Sequence, residues 1–204
     1  MKLLDETDET CKMIGAANTV VNDDGRLIGY NTDIDGFLEP IKNREISFVD
    51  SNILLLGAGG ASRAIIAGIK KENGKKITIM NRTVSKAEEL AEFGKNLGLE
   101  INVLPIEDAQ KLNADYNFII NASSLGLKNE PNILPTQLMN SETIVYDIVY
   151  KPVNTELIKH AKKANSQIIY GYEMLLGQAT RSFEIWLKQK APYEVMKKAI
   201  MGGF

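Results

Sequence analysis

The strongest constraint on the fold is a run of four apolar residues that leads directly into a cluster of glycines. Residues 53–56 predict a strand buried on both faces, and Gly57, Gly59 and Gly60 follow before a helical pattern begins. The first N–H groups of that helix and the positive end of its dipole favour a phosphate group at this turn. Gly57 would permit a tight turn, and Gly59 would let the backbone approach the phosphates. We therefore expect a dinucleotide pyrophosphate here, with Ser62 standing where a third glycine is usual.

Strands and helices alternate from residue 51 to residue 170, and helical spacing continues to the end of the chain. This rhythm predicts an α/β fold with a parallel, doubly wound sheet. The predicted strands cover 53–56, 76–80, 101–104, 116–120, 143–149 and 167–170. The predicted helices lie within 1–15 and at 61–72, 84–97, 107–112, 154–164, 173–189 and 192–200.

The region before this alternation contains a hairpin signal. Two β-like runs flank Asp24-Gly25, a pair that favours a tight turn between antiparallel strands. Apolar residues recur at helical spacing after Asp33, and we expect Thr32 or Asp33 to cap that helix.

Composition excludes several classes of protein. The net charge of −2 over 204 residues gives no reason to expect nucleic acid or an anionic membrane as a partner. No signal-peptide region and no run of about 18 apolar residues occurs, so we expect a soluble protein without a membrane span. The single cysteine, Cys11, fits a cytoplasmic location and is expected to be an inert thiol. The residue pattern predicts no metal site, and the one histidine, His160, is expected to be solvated.

A basic pair follows the second strand of the alternation. Arg82 lies between Asn81 and Thr83, and Lys86 stands one turn into the next helix. In a Rossmann-type site this position meets the adenosine ribose, where an NAD enzyme usually has an acidic residue. Arg82 and Lys86 would instead bind a 2′-phosphate, and their charge-assisted bonds would favour NADP by a factor of about ten or more. The alternative is that Arg82 and Lys86 are solvated basic residues at the start of a helix and bind no ligand.

A polar loop, 121–126, follows the fourth strand. Ligands of doubly wound sheets lie at the carboxyl ends of the strands, so Asn121 and Ala122 could form the floor of a nicotinamide pocket. The alternative is that residues 121–126 are only a polar turn that ends at Gly126 and contacts no ligand.

Five short motifs occur together, and together they carry a resemblance that spans essentially the whole chain. Residues 15–19, 31–36, 57–64, 81–83 and 171–179 are similar to segments of the shikimate dehydrogenases, in the same order. The resemblance implies an enzyme that reduces 3-dehydroshikimate to shikimate with NADPH, in the pathway to aromatic amino acids.

The resemblance also implies roles for individual residues. Asn18 and Asp33 would bind substrate hydroxyls, Gln178 would reach the substrate from the other side, and Tyr150 would line the same cleft. Asp33 would also belong to the catalytic pair. The cofactor-binding residues implied by the motifs and the resemblance are Gly57, Ala58, Gly59, Gly60, Ala61, Asn81, Arg82, Thr83, Lys86, Asn121, Ala122, Gly171 and Met174, the last two against the nicotinamide.

One part of the family pattern has no match. Residues 1–14 contain neither the serine pair that binds the substrate carboxylate nor the N-V-T-x-P-x-K motif whose lysine pairs with the aspartate. We therefore expect 1–47 to be a partial substrate-binding domain, 48–172 the NADP-binding Rossmann-like domain, and 173–204 helices that return to the substrate domain.

The absent lysine predicts a chain that retains NADP binding but is a poor dehydrogenase. Two alternatives stay open: a quinate/shikimate dehydrogenase that uses NAD, and a non-catalytic dinucleotide-binding remnant. A partial substrate domain would also expose apolar surface, which predicts self-association as a homodimer.

Overall fold

The computed structural model describes residues 3–128 and 130–203. The chain divides into two compact units. We call residues 46–172 the continuous unit, and the residues up to Glu45 together with Glu173–Gly203 the split unit. Within the described residues, no helix is both long enough and apolar enough to cross a lipid bilayer.

The elements alternate as the sequence predicts over most of the chain. In chain order they are β1 (Glu6–Thr7), α1 (Glu9–Ile14), β2 (Thr19–Asp23), β3 (Arg26–Tyr30), α2 (Asp33–Asn43), β4 (Asn52–Leu56), α3 (Gly60–Lys71), β5 (Lys76–Asn81), α4 (Val84–Asn96), β6 (Glu100–Pro105), a 3₁₀ helix (Ile106–Lys111), β7 (Phe118–Asn121), a second 3₁₀ helix (Thr136–Leu138), β8 (Ile144–Asp147), α5 (Glu156–Lys163), β9 (Gln167–Tyr170), α6 (Gly171–Leu187) and α7 (Tyr193–Met201).

The continuous unit is built on a six-stranded sheet in the order β6-β5-β4-β7-β8-β9. All five strand pairs are parallel, so the predicted doubly wound α/β sheet is confirmed. This is the Rossmann-like order, in which the chain starts at a central strand and winds outward in both directions. The order reverses between β4 and β7, whose carboxyl ends, Leu56 and Asn121, pair in register. A crevice for a ligand is expected at this point.

Apolar side chains fix the sheet against its covering layers. Leu54, Met80 and Ile119, from three neighbouring strands, join Leu157 of α5 in one buried cluster. Each of these side chains is less than a tenth exposed. Burial of one such side chain contributes about 1.5–3 kcal/mol, which explains why four apolar residues in a row form a central strand.

Several element boundaries differ from the predicted ones, including that of the strand predicted at 116–120, which is Phe118–Asn121. The strand predicted at 143–149 ends at Asp147, because the Asp147 carboxylate accepts the N–H of Val149 and turns the chain. The helix predicted from 173 begins at Gly171, directly after β9, with no polar capping residue to signal its start. The short helix predicted at 107–112 is the 3₁₀ helix Ile106–Lys111.

The split unit contains a three-stranded sheet in the order β1-β3-β2. Strands β2 and β3 form the predicted hairpin, with Asp23 opposite Arg26. Asp24 and Gly25 both have positive φ, at 48° and 91°, as a two-residue turn of this kind requires. Strand β1, which no sequence pattern indicates, adds parallel to β3.

Helices α2 and α6 approach closely in the split unit because glycines face the contact. A Cβ on Gly36 of α2 would lie 2.7 Å from the backbone nitrogen of Gln178 and 2.7 Å from the carbonyl oxygen of Met174. An ion pair of 2.7 Å between Arg44 and Glu173 joins the ends of the same two helices.

Candidate functional site

The turn after β4 has a geometry that only glycine fits. Gly57 has a φ of +103°, and a Cβ on it would lie 2.7 Å from the carbonyl oxygen of Ala122. Its N–H donates to the carbonyl oxygen of Met80 at 2.8 Å. Gly57 therefore lets the chain turn sharply between the carboxyl ends of β5 and β7.

The start of α3 is open on the side where a ligand would approach. A Cβ on Gly59, the N-cap residue, or on Gly60 would meet no atom within 4 Å. The Ser62 hydroxyl stabilises this turn with two hydrogen bonds. It accepts the Gly59 N–H and donates to the Gly57 carbonyl oxygen, both at 3.1 Å. The residue in the third glycine position thus fixes the turn. A serine three residues after an N-cap was the signal for this role.

Two cavities, each large enough for a ligand, lie at opposite ends of the sheet in the continuous unit. The larger, about 430 Å³, lies at the carboxyl ends of β4, β5 and β7, beside the glycine turn. The other, about 380 Å³, lies at the amino ends of β4, β5 and β6. Eight predicted cofactor residues line the larger cavity: Gly57, Ala58, Gly59, Asn81, Arg82, Thr83, Lys86 and Ala122. Gly60 and Ala61 belong to the first turn of α3 beside it.

The larger cavity has a positively charged wall. Arg82 and Lys86 both line it and both are exposed to solvent. The Asn81 side chain donates to the carbonyl oxygen of Thr83 at 2.8 Å and so fixes the short turn that carries Arg82. Among the described residues that line this cavity there is no carboxylate. A phosphate group on this wall would therefore meet two cations and no opposing charge.

A buried polar network shapes the loop on the other wall. The Asn121 amide donates to the Leu125 carbonyl and to Asp147 Oδ1, both at 2.9 Å, and Asn121 Oδ1 accepts from Ser123. Thr155 Oγ1 donates to the other Asp147 oxygen at 2.6 Å. Burial raises the pKa of the Asp147 carboxyl above its usual value, outweighing three donors that favour the charged form.

Asn121 consequently lies beneath the cavity wall, while Ala122 lies on it. The contact of Asn121 with a cofactor stays a prediction. Asp147 was missed by the sequence reasoning, and a carboxylate that ends an apolar strand was the signal that could have found it.

In the split unit the structure brings Asn18 and Asp33 together. Asn18 Nδ2 donates to Asp33 Oδ1 at 2.9 Å, although the two residues are 15 positions apart. Asn18 Oδ1 accepts the backbone N–H of Thr32 at 3.0 Å, which fixes the orientation of the amide. The result is an amide donor beside a carboxylate acceptor, a pair suited to hydroxyl groups.

Gln178 lies half-buried on α6, at the close contact with Gly36. Its carbonyl oxygen accepts from Ser182 Oγ at 2.9 Å. Ser182 Oγ also lies 2.7 Å from Thr19 Oγ1 and 3.2 Å from Thr32 Oγ1. The three predicted substrate residues of the split unit are therefore connected through buried hydroxyl groups.

The capping prediction for α2 is wrong in its chemistry. Thr32 is the N-cap residue, but its side chain makes no capping hydrogen bond, and Asp33 already belongs to the helix. The Thr32 hydroxyl turns toward Asn18 Oδ1 at 3.2 Å instead, and Asn31 Oδ1 accepts the Asp33 N–H at 2.9 Å.

Comparison with known proteins identifies the family. Residues 41–148 match the family model described as shikimate / quinate 5-dehydrogenase, and residues 171–201 match the shikimate 5′-dehydrogenase C-terminal domain. Shikimate dehydrogenase (NADP(+)) of Nitrosopumilus maritimus is 57% identical over 204 residues, which cover 100% of this chain and 75% of that relative. The chain belongs to the shikimate dehydrogenase family.

Solved structures of the family have the same fold but differ in cofactor. Shikimate 5-dehydrogenase of Thermus thermophilus, in complex with NADP(H) and shikimate, has a TM-score of 0.83 at 32% identity, covering 98% of this chain and 73% of that one. Quinate dehydrogenase of Corynebacterium glutamicum, in complex with NAD, has a TM-score of 0.90 at 26% identity, covering 99% and 73%. The choice between NADP and NAD therefore depends on local side chains.

The remaining residues implied by the shikimate dehydrogenase resemblance lie in both units. Tyr150 follows β8 in the continuous unit and is 48% exposed. Gly171 is buried, and a Cβ on it would lie 2.4 Å from the carbonyl oxygen of Ile148. Met174 is buried on α6 in the split unit. Their contacts with substrate or nicotinamide stay predictions.

The one cysteine and the one histidine of the chain differ in their burial. Cys11 is fully buried, and burial raises the pKa of its thiol to about 12, which leaves the inert thiol form at neutral pH. His160 is half-buried on α5, and its Nδ1 is buried with no hydrogen-bond partner among the described residues, so its ring is less solvated than expected.

Proposed function

We propose that this protein is an NADP-dependent shikimate dehydrogenase, an oxidoreductase that reduces 3-dehydroshikimate to shikimate in aromatic amino acid biosynthesis. The observation that carries the proposal is the cavity beside the glycine turn, whose wall contains Arg82 and Lys86 and no described carboxylate. That wall favours NADP over NAD, because a 2′-phosphate needs cations where a free ribose hydroxyl needs an acceptor.

The residues of the continuous unit fit NADP. The open backbone at Gly59 and Gly60 leaves room for a pyrophosphate at the start of α3. Arg82 and Lys86 would bind the 2′-phosphate, and Ala122 would form part of the floor of the nicotinamide pocket. When bound, NADPH supplies the hydride that reduces a carbonyl carbon.

The split unit would bind the substrate. Asn18 uses one amide hydrogen for Asp33 and keeps the second, while Asp33 keeps its other oxygen, so the pair can donate to one hydroxyl and accept from another. Gln178 would reach the substrate from α6, and Tyr150 would line the same cleft. Asp33 would belong to the catalytic pair.

We also infer that residues 1–204 by themselves reduce the substrate slowly. Within residues 3–128 and 130–203, the Asp33 carboxylate has Asn18 as a partner and no lysine. General acid–base catalysis typically contributes 10²–10⁴-fold, so an isolated aspartate should lose a large part of the rate. Rapid shikimate-dependent NADP reduction by these 204 residues would contradict this inference.

Calorimetric titration with NADP and NAD, each with and without shikimate, tests the proposed function. We expect micromolar NADP binding, NAD binding weaker by about tenfold or more, and tighter binding when shikimate is present. Preference for NAD would favour the quinate/shikimate dehydrogenase alternative. NADP binding without any response to shikimate would favour the non-catalytic remnant.

We assign NADP binding to 48–172, substrate binding to 1–47, and a return to the substrate domain to 173–204. We also propose that the chain self-associates as a homodimer through exposed apolar side chains of the split unit, which include Trp186 and Leu187. A strictly monomeric profile in light scattering at high concentration would contradict the dimer.

A further inference from the structure

We propose that Ser182 is a positioning residue for the substrate-binding groups of the split unit. Its hydroxyl joins the start of β2, the start of α2 and the middle of α6, the three places that carry Asn18, Asp33 and Gln178. The substrate named in this proposal rests on the proposed function, whereas the positioning itself rests on the contacts of Ser182 alone.

Ser182 lies at the centre of a compact group of hydroxyls. It is 9% exposed, and Thr19 and Thr32 are each 1% exposed. Ser182 Oγ is 2.9 Å from the carbonyl oxygen of Gln178, 2.7 Å from Thr19 Oγ1 and 3.2 Å from Thr32 Oγ1. Both threonine hydroxyls also reach Asn18 Oδ1, at 3.1 and 3.2 Å.

Counting protons shows what the serine contributes. Each hydroxyl has one proton to donate, and the Ser182 proton goes to the Gln178 carbonyl. Asn18 Oδ1 has two lone pairs, one of which accepts the Thr32 N–H. It can therefore accept one threonine hydroxyl, and Ser182 Oγ accepts the other. All donors are satisfied, and the Asn18 Nδ2 group is left facing Asp33.

Removing the Ser182 hydroxyl would leave more donors than acceptors. Thr19, Thr32 Oγ1 and the Thr32 N–H would then compete for the single oxygen of Asn18. An unsatisfied donor is costly in a buried place, so the Asn18 amide should shift or rotate. The same change would release α6 from the Thr19 hydroxyl at the turn that carries Gln178.

A purely structural role for Ser182 predicts a different result. In that case its substitution would lower stability, like that of any buried serine, and would not affect Asn18. Ser166 provides the matched control, because it is also 9% exposed and its hydroxyl donates to one backbone carbonyl, that of Asn140, at 2.8 Å. Ser166 lies in the continuous unit, away from the Asn18 group in the chain.

The first measurement follows the side-chain NH₂ signals of Asn18 in a ¹H–¹⁵N spectrum of the ¹⁵N-labelled protein. We compare the wild type with Ser182→Ala, Ser182→Thr and Ser166→Ala. In Ser182→Ala the two Asn18 signals should move toward the chemical shifts of a free amide. Ser182→Thr keeps a hydroxyl, so its Asn18 signals should stay close to their wild-type positions. Ser166→Ala should leave them unchanged. If Ser182→Ala does not fold, Ser182→Cys, with its weaker donor and acceptor, is read in the same way.

The second measurement is shikimate binding by calorimetry at saturating NADP. Ser182→Ala should bind shikimate about threefold to tenfold more weakly, as expected for the loss of about one hydrogen bond. Its NADP affinity should stay within about twofold of the wild type, since NADP binding is assigned to the continuous unit. Ser166→Ala should retain shikimate affinity even if it is destabilised to the same extent.

The two measurements separate failure of this inference from failure of the proposed function. Unchanged Asn18 signals in Ser182→Ala would overturn the inference, whatever happens to ligand binding. A wild-type protein that binds NADP but no shikimate would overturn the proposed function, and the Asn18 signals alone would then decide the role of Ser182. Altered Asn18 signals together with weakened shikimate binding would support both.

Discussion

The cavity of the continuous unit and the Asn18–Asp33 pair of the split unit are built in different ways. The cavity is shaped by the backbone, with Gly57 forced into positive φ and Gly59 and Gly60 open to solvent on one side. The Asn18–Asp33 pair is shaped by side chains, which hold each other through amide and hydroxyl groups. A Cβ added at Gly57 should therefore damage the first region, and loss of a hydroxyl such as that of Ser182 should damage the second.

The two regions also differ in charge. The cavity wall contains Arg82 and Lys86, which suit the phosphates of a dinucleotide. The split-unit pair contains a carboxylate beside an amide, which suits neutral hydroxyl groups. If the proposed function is correct, each region can be damaged without loss of the ligand that the other binds, and four predictions test this separation.

Gly57→Ala should have the largest effect. The added Cβ meets the Ala122 carbonyl oxygen at 2.7 Å, and alanine is strained at a φ of +103°. Strain and overpacking together should cost about 3 kcal/mol of unfolding free energy and weaken NADP binding by about a hundredfold or more. Urea denaturation and calorimetry measure the two effects.

Gly25→Ala is the control for Gly57→Ala. Gly25 also has a positive φ, at +91°, but an added Cβ would meet no atom within 4 Å. It should cost about 1 kcal/mol from backbone strain alone and leave NADP affinity unchanged. Equal losses in the two variants would show that the close approach at Ala122 contributes nothing.

Gly36→Ala should produce the converse result in the split unit. Its Cβ would lie 2.7 Å from the Gln178 backbone nitrogen, so α2 and α6 must separate. We expect a loss of about 2 kcal/mol and of about tenfold in shikimate affinity. The loss of NADP affinity should be smaller, because Met174, whose carbonyl oxygen the Cβ also meets, is the one residue of α2 or α6 after Gly171 that is expected at the cofactor. Gly202→Ala, whose Cβ has 3.4 Å to its nearest neighbour, should be close to neutral. A loss of NADP affinity as large as the loss of shikimate affinity would contradict the separation of the two regions.

The sequence allowed the cavity to be predicted better than the split-unit pair, and the reason is the distance along the chain. The strand at 53–56, the turn at Gly57 and the start of α3 are neighbours in sequence, so local patterns indicated all of them. The contact between Thr19 and Ser182 joins residues 163 positions apart, and no local pattern contains it. Asn18 and Asp33 were predicted only because whole motifs resembled a known family.

The errors have a similar explanation. Thr32 was expected to cap α2 because threonine is a common N-cap residue, but Asn18 and Ser182 offered its hydroxyl other partners. His160 was expected to be solvated from the lysines around it, and its Nδ1 is buried. At Thr32 the usual preference for N-capping was overridden by groups that are distant in the chain.

Arg82→Ala should weaken NADP binding by about tenfold and leave NAD binding within about twofold. The reason is that Arg82 lines the cavity and is proposed to bind the 2′-phosphate, which only NADP carries. Lys95→Ala removes an exposed cation from the last turn of the same helix as Lys86 and serves as the control. Equal weakening of NADP and NAD would show that Arg82 acts on another part of the cofactor.

Asp147→Asn should have the smallest effect, which is a change in the pH dependence of stability. Because burial raises the pKa of Asp147 above 3.8, the folded protein keeps this proton to a higher pH than the unfolded chain does. Unfolding therefore releases a proton between pH 3.8 and the folded-state pKa, and the free energy of unfolding falls as pH rises through that window. One proton accounts for a slope of at most about 1.4 kcal/mol per pH unit.

The variant should lose this slope, because asparagine does not titrate, while its altered hydrogen bonds add an offset that is the same at every pH. Urea denaturation from pH 4 upward, read as the difference between wild type and Asp147→Asn, measures the slope alone. Glu39→Gln is the comparison in the split unit, since burial also raises the pKa of Glu39. If NADP is bound by the continuous unit, saturating NADP should alter the difference in unfolding free energy between wild type and Asp147→Asn, because Asp147 holds the loop at the cavity wall. It should leave the difference between wild type and Glu39→Gln unchanged. If NADP changed both differences equally, the loop held by Asp147 would not be part of the NADP site.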